Sequence, residues 1–377
     1  MLKKNRFDKM EWAGAFGDIG TFIPFVFGLI LLTEIDARGI FFTFGIALLF
    51  TGYFFKTPMP VQPMKLIAGM AIASPAAISL GMIWGAGVFI GLLWMFLAAA
   101  NLLRHITKWI TEPIVCAISL ALGISFIIKS TQLMSSNWII AGIALVISIL
   151  LYKNKTFPAM FALLIFGVLL VIAQTPNLYT QLISKDIALT LPTINWQPFT
   201  SKEFLMGIVI LAIPQIPLSI GNAIVAVTRE NNMRFPEQLT TERKVTLSQG
   251  LINLVSPMLG GIPMCHGVGG LVGHYRYGAR TGGAVMILGM LFVCVAIMFS
   301  QYIELIMLFP FEVVGVILLF TGIDLVKTIN RLTSRKDKLL CIITASIAMW
   351  NMATAVLIAI VIQFVLRKNA FNKIDSD

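Results

Sequence analysis

Two short stretches of the 377-residue chain concentrate residues able to hold an anion. The first, PMPVQPMK from Pro58 to Lys65, sets three prolines close together. Proline cannot continue a helix through Pro63 but is well placed to open one, so extended backbone should give way to a helix near Lys65. The free N–H groups and positive dipole end of such a helix suit an anion, with Gln62, Pro63, Met64 and Lys65 around it. Lys65 adds a positive charge, unless its side chain snorkels to the interface. The second stretch, GGIPMCHGVGGLVGHYRYGARTGG from Gly260 to Gly283, repeats the logic. Pro263 stops one element, and the glycines from 267 to 273 let backbone come close to a ligand or a neighbouring helix. Cys265, His266 and Gly267 then stand at the start of a second helix that faces the first. On AIPQIPLSIGNAIVAV, Gln215 and Asn222 offer amide donors to an oxyanion, while Asp18, Glu312 and Asp324 are acids within apolar spans that could carry a proton or bind a cation. Packing alternatives stay open: a hydrogen-bonded core role for His266, interhelical bonds for the amides, and close helix packing for the glycines.

The elements that must position these residues are membrane helices. The chain is 58% hydrophobic and only 12% charged, with a mean hydropathy of +0.90, a balance that soluble domains of this length do not reach. Runs such as Gly81 to Leu102 and Thr281 to Phe299 approach the roughly 20 residues that cross a ~30 Å hydrocarbon core. They do not alternate, so they are not the strands of a membrane barrel. The net charge of +11 comes from basic residues scattered between apolar runs, without the basic face or aromatic platform that nucleic acid requires. The four cysteines show no paired spacing, and the basic start, Met1 to Lys9, leads into a first span with no cleavage site.

Breaking the chain at charges, Gly/Pro clusters and polar stretches gives fourteen segments, from 12–33 to 352–366. The third (58–74) and tenth (262–279) are too interrupted to span as plain helices. With the N-terminus inside, 23 of the 28 lysines and arginines fall on cytoplasmic loops. Arg38, Lys129, Lys185 and Lys202 fall outside, and Lys65 lies within a membrane segment. That asymmetry obeys the positive-inside rule and places both termini in the cytoplasm of a cell whose inner membrane holds the protein.

One long polar connection, residues 176–202, separates a first seven-segment repeat (1–175) from a second (203–377). Gly17-Asp18 matches Gly221-Asn222, Pro58-Met59 matches Pro263-Met264, and Gly123-Ile124 matches Gly322-Ile323. An odd number of segments per half makes the second repeat inverted. The fold class is therefore an all-α polytopic membrane protein of fourteen segments, with half-helices in segments 3 and 10 meeting near the midplane, as in secondary transporters.

The stretches GAFGDIGTFIPF, PMPVQPMK, PQIPLSIGNAIVAV and GGIPMCHGVGGLVGHYRYGARTGG resemble the signature motifs of the molybdate transporter family related to SulP sulfate permeases. The resemblance implies a core domain moving against a gate domain, and a site built by segments one, three, eight and ten. Asp18, Gln62, Lys65, Gln215, Asn222, Cys265 and His266 map onto that site. The fifth segment departs from the pattern, carrying Cys116 and Ser119 where family members often carry an Arg and a Gln. The implied activity is import of a tetrahedral oxyanion, molybdate first, with sulfate, tungstate or a passive anion channel as alternatives. Accumulating a dianion against an inside-negative potential requires cotransported H+ or Na+, for which Asp18 and Glu312 are the candidate carriers. A nucleobase carrier would need acidic acceptors in segments eight and ten, where this chain has amides, Cys265 and His266. A haem or metal enzyme would need facing histidines, and the chain has only His105, His266 and His274. No enzyme activity, cofactor or metal is expected. Homodimerisation stays open.

Overall fold

Backbone polar groups in hydrocarbon must be satisfied within the segment, which makes the apolar runs helices and leaves the proline-rich stretches dependent on their neighbours. The computed structural model describes residues 4–33, 35–107, 110–151, 159–175, 199–298, 306 and 308–374. Most of the polar connection expected at 176–202 lies outside these residues, as do Lys3, Lys108, Lys153, Lys155 and Lys185 of the loop charges and the start of the twelfth segment.

Among the described residues the chain forms fourteen principal helices. The first half holds α1 (Lys9–Leu32), α2 (Ala37–Phe55), α3 (Lys65–Ala73), α4 (Leu80–Ala99), α5 (Glu112–Met134), α6 (Trp138–Leu151) and α7 (Ala159–Gln174). The second holds α8 (Ser201–Arg234), α9 (Glu242–Val255), α10 (Val268–Arg276), α11 (Gly283–Met298), α12 (Phe311–Val326), α13 (Arg335–Trp350) and α14 (Met352–Ile374). The chain is a multi-pass membrane protein. Five helices, α1, α2, α4, α5 and α8, are long and apolar enough to cross a bilayer on length and composition alone.

The two short helices are the expected half-helices, each of 9 residues. Each is preceded by a strand: β1 (Gln62–Pro63) and β2 (Met264–Cys265) pair antiparallel, with Gln62 opposite Cys265 and Pro63 opposite Met264. A two-fold relation between the halves therefore equates Pro63 with Cys265. The sequence match of Pro58 with Pro263 is displaced from this register, because it aligned prolines by type whereas backbone pairing sets the correspondence. The tenth segment is also shorter than 262–279 as a helix, since 262–267 is extended.

The eighth segment is continuous despite the prolines of AIPQIPLSIG. Pro214 and Pro217 are absorbed by widened π-helical turns at Gly207–Ala212 and Ser219–Ala226. Its partner α1 tightens into a 3-10 turn at Phe16–Asp18. A Thr200–Glu203 capping box starts α8, and Ser79 and Thr241 cap α4 and α9.

The helices pack as two layers. In the core layer, α2 lies along α11 and α4 along α9, two pairings that exchange under the repeat relation. In the gate layer, α5 packs on α12, its own repeat counterpart, and on α13. The gate has its own apolar cluster, in which Ala117 and Ala121 of α5 meet Ala345 and Ala348 of α13 and Ala355 and Ala359 of α14. Small residues of this kind let membrane helices approach closely. Where α5 crosses α12, a Cβ on Gly123 would lie 2.7 Å from the Gly322 carbonyl oxygen, and one on Gly322 would lie 2.8 Å from that of Gly123.

Contacts sort the helix ends onto two faces. Thr57 after α2 donates to Asn231 of α8 (2.7 Å), the backbone N–H of Arg6 ahead of α1 donates to Thr281 ahead of α11 (3.1 Å), and Cys116 near the start of α5 donates to the Thr328 carbonyl after α12 (3.4 Å). That face carries Lys9, Lys56, Arg229, Arg234, Arg280, Arg331 and Arg335. On the other face Ser79 donates to Glu203 (2.7 Å) and Ser136 to Glu312 (2.8 Å).

The extended backbone around β2 hangs on polar side chains, chiefly from α9. Asn253 brackets Met264, accepting from its N–H (2.9 Å) and donating to its carbonyl (2.7 Å). Ser256 donates to the Ile262 carbonyl (2.7 Å), and Trp84 of α4 to that of Gly261 (2.9 Å). Replacing Asn253 with the similarly sized Leu strands two buried backbone groups at about 1–3 kcal/mol each. The expected result in Asn253→Leu is a clear fall in the thermal midpoint of purified protein, whereas Ser346→Ala, on an exposed position of α13, leaves it unchanged.

Candidate functional site

A cavity of about 300 Å³ opens between the two layers at their basic face. Its core-side wall is Lys65 at the start of α3, Leu218, Gly221, Asn222 and Ala226 of α8, and Val268 at the start of α10. Its gate-side wall is Thr111 ahead of α5 and Glu112, Val115, Cys116 and Ser119 on it, with Leu325 at the end of α12 and Thr328 and Arg331 in the turn that follows. The exposed Glu112 and Arg331 stand on its rim.

Lys65 occupies the first turn of α3, is half-buried, and among the described residues has no ion-pair or hydrogen-bond partner. An ammonium there opposes the helix dipole, an arrangement costing roughly 0.3–1 kcal/mol in exposed settings. An anion in front of the helix start reverses the sign of that interaction for both the lysine and the dipole. The Asn222 amide likewise has no internal hydrogen bond among the described residues and lines the same cavity. Val268 brings in the start of α10, which no N-cap side chain covers.

The other expected site residues do not line the cavity. Gln215 is 1% exposed and spends its carboxamide on the scaffold: Oε1 accepts from the Leu66 N–H of α3 (3.0 Å) and Nε2 donates to Ser219 (2.9 Å). It thus ties the start of α3 to α8. Met64 is the N-cap residue of α3 and donates its backbone N–H to the Pro263 carbonyl (2.9 Å), while Pro63 lies within β1. Cys265 is buried, with its thiol 3.9 Å from the Pro63 carbonyl oxygen. His266 is fully buried, bonded through Nδ1 to the Pro60 carbonyl (2.8 Å) and through Nε2 to Ser248 (3.0 Å), with its ring edge-on to Phe55. Both of its nitrogens are therefore used in holding the crossing strands. Gly267, the N-cap of α10, is pressed against Gln62.

Asp18 lies behind the cavity, buried where α1, β1 and α10 meet. Gln62 Nε2 donates to its Oδ1 (2.5 Å), Thr21 donates to the same oxygen, and a Cβ on Gly270 would lie 2.5 Å from Oδ2. Lys65 and His274 are its charged or titratable neighbours in electrostatic range. His274 itself bonds the Gly14 carbonyl through Nδ1 (2.8 Å). Glu312 begins α12 at the opposite face, where its carboxylate accepts from Ser136, and Asp324 is exposed at the basic end beside Lys327. Among the described residues no group of three or more His, Cys, Asp or Glu side chains could hold a metal ion.

The gate-side wall carries no mark in the sequence. Cys116 and Ser119 depart from the family pattern in the fifth segment, but their i, i+3 spacing on an apolar helix looks the same whether that face meets a partner helix or a cavity.

The sequence model of the family described as "Molybdate transporter of MFS superfamily" matches residues 10–126 and 207–325. The chain is 28% identical to "Molybdate transporter 2" of Arabidopsis thaliana, with 92% of this chain and 84% of that protein covered. It is 23% identical to "Molybdate transporter 1" of Chlamydomonas reinhardtii over 93% of this chain and 90% of that protein. In fold it is similar to the transmembrane domain of a cyanobacterium bicarbonate transporter, BicA, at a TM-score of 0.66 and 14% identity, covering 95% of this chain and 96% of that one. It is also similar to murine Slc26a9, an anion transporter in the inward-facing state, at 0.70 and 12%, covering 98% and 70%. These likenesses share the fourteen-segment fold.

Cys116 and Cys265 are equally buried, at 3% exposure each, but of the two only Cys116 lines the cavity. In a Cys294→Ser background, a small hydrophilic thiol reagent should modify Cys116, read by mass spectrometry of the intact protein. Modification should vanish in Cys116→Ser and persist in Cys265→Ser; the reverse pattern would place Cys265 on the water-filled path.

Proposed function

The chain belongs to the molybdate transporter family, and on that footing we propose that it is a secondary active importer of a tetrahedral oxyanion, most directly molybdate. The core layer moves against the gate layer, exposing the site between them to each side in turn. The observation that carries this reading is the pair of internally unpartnered groups, Lys65 and Asn222, facing one cavity between the layers. A dianion there meets an ammonium, an amide donor and two half-helix starts. Sulfate and tungstate share the same charge and shape, and their competition with molybdate for uptake into reconstituted vesicles measures selectivity.

The orientation follows from the basic face. By the positive-inside rule that face is cytoplasmic, so both termini lie inside and the cavity opens inward, as suits an importer of the inner membrane. The inward-facing state given for the Slc26a9 structure is in keeping with this.

Moving a dianion inward against 100 mV costs about 4.6 kcal/mol, at ~2.3 kcal/mol per charge. Accumulation therefore needs at least two cotransported positive charges, protons or sodium ions. Asp18 is the carboxylate placed to carry one, because it is buried behind the site rather than at the far face like Glu312. Collapsing both the proton and sodium gradients should abolish accumulation in vesicles, and Asp18→Asn should lose gradient dependence. Uptake that survives the first treatment but only equilibrates the anion, without accumulation, would mean a passive route.

The anion site itself is tested at Lys65. Two unit charges 4 Å apart interact by about 4 kcal/mol at an effective dielectric of 20, part of which is returned as desolvation, leaving roughly 2–4 kcal/mol. Lys65→Gln should then weaken molybdate binding by about 30- to 1000-fold at ~1.4 kcal/mol per decade. Lys65→Arg should give an intermediate loss, since a planar fork and a compact ammonium place charge differently. Calorimetry on protein with an unchanged thermal midpoint makes the comparison; less than a threefold loss in Lys65→Gln would remove Lys65 from the site.

A further inference from the structure

Gln62 sits where the buried carboxylate meets the second half-helix. Its Nε2 donates to Asp18 Oδ1 (2.5 Å) and to Thr21 Oγ1 (2.8 Å), so both N–H groups are spent on one neighbourhood. Its Oε1 is buried without a hydrogen-bond donor. That oxygen lies over Gly267, the N-cap of α10, where a Cβ would come within 1.8 Å of it. Gly267 has φ −76° and ψ 127°, a conformation open to any residue, so the carbonyl above it is the reason for a glycine there. The charged or titratable groups around this point are Asp18 on α1, Lys65 on α3, His274 on α10 and Cys265 across the strand pair.

A buried carboxamide with an unused carbonyl is half-satisfied, and its other orientation reverses which half. With a cation on Asp18, either a proton or Na+, the neighbourhood needs an acceptor where it now takes a donor. The last torsion of a glutamine is broad and roughly two-fold, and the two ends of the amide are nearly the same size. Half a turn would bring Oε1 to the loaded Asp18 and swing the NH2 group over Gly267 towards the start of α10, next to Val268 on the cavity wall.

We infer that Gln62 is the coupling switch of this transporter: its carboxamide turns over when Asp18 takes up its cation, and the NH2 group then presented at the start of α10 tightens the anion site. The inference rests on the reading of Asp18 as cation carrier and of the α10 start as part of the anion site. Linkage makes the effect reciprocal, so bound anion raises cation affinity by the same factor. One added charge-assisted hydrogen bond corresponds to roughly a tenfold to hundredfold change in affinity.

The test is molybdate affinity of the purified full-length protein in lipid nanodiscs, measured at acidic and alkaline pH, each with and without Na+. In the wild type the affinity should rise roughly tenfold to hundredfold with whichever cation loads Asp18, and the response identifies that cation. In Gln62→Met, a near-isosteric change without an amide, the ratio of loaded to unloaded affinity should fall to within about threefold of one. Gly267→Ala, whose methyl displaces the carboxamide, should lose the same ratio, and Gln62→Ala/Gly267→Ala should behave as Gln62→Ala alone. Thermal melting confirms that each variant is folded. A folded Gln62→Met or Gly267→Ala that keeps the full cation response overturns the switch while leaving cation coupling intact. A wild-type affinity that ignores both cations overturns the coupling reading, and the switch with it.

Discussion

Unwound backbone in the middle of a bilayer is the constraint on which this structure turns. Around Pro58 to Met64 and Ile262 to Gly267 the chain is extended at depths where no lipid can satisfy a peptide group, and each group left unpaired would cost several kcal/mol. The strands pair with each other through Gln62, Pro63, Met64, Pro263, Met264 and Cys265, and side chains satisfy much of the rest. Asn253, Ser256, Trp84, His266 and Thr51 all bond to backbone carbonyls in or beside these stretches. Many of the buried polar residues of the core layer therefore serve to make two helix starts possible. The starts of α3 and α10 are held rigidly by that frame, and so is the lysine on the first of them.

The same constraint explains what could be read from the sequence. Hydropathy and punctuation suffice to mark fourteen segments, because a helix in lipid must be apolar over its length and its breaks must carry proline, glycine or charge. The half-helices were legible for the same reason: Pro63 and the glycine run after Pro263 permit little else. The π-helical turns of α8 were not, since a proline marks a missing N–H without saying whether the helix breaks or widens around it. Lys65 and Asn222 stand out in the sequence by type alone, a cation at a helix start and an amide on an apolar span; that they share one cavity is visible only in the packed structure.

Cys265, His266 and Gln215 show where such reading stops. Adjacent residues of a strand point to opposite sides, so which of them face the cavity depends on pairing register, and register is a property of two strands rather than of either. His266 turned inward to Pro60 and Ser248, and Gln215 turned to the Leu66 N–H, because an amide or an imidazole near free backbone in a dry interior is captured by it. Side chains left over from that capture, with no backbone to satisfy, are the ones that reach the cavity. The division between Gln215, bonded at both ends, and Asn222, bonded at neither among the described residues, follows from that rule.

At the α5–α12 crossing, the site of any methyl on Gly123 is occupied by the Gly322 carbonyl, and that of any methyl on Gly322 by the Gly123 carbonyl. Residues that correspond between the two repeats here touch each other, so the repeats are not free to drift apart in sequence at this place. A mutation adding a side chain to one copy has no compensating change available in the other, since glycine has nothing further to give up. At this crossing the two halves are joined by a steric tie, and an alignment of relatives should find the two positions immobile together.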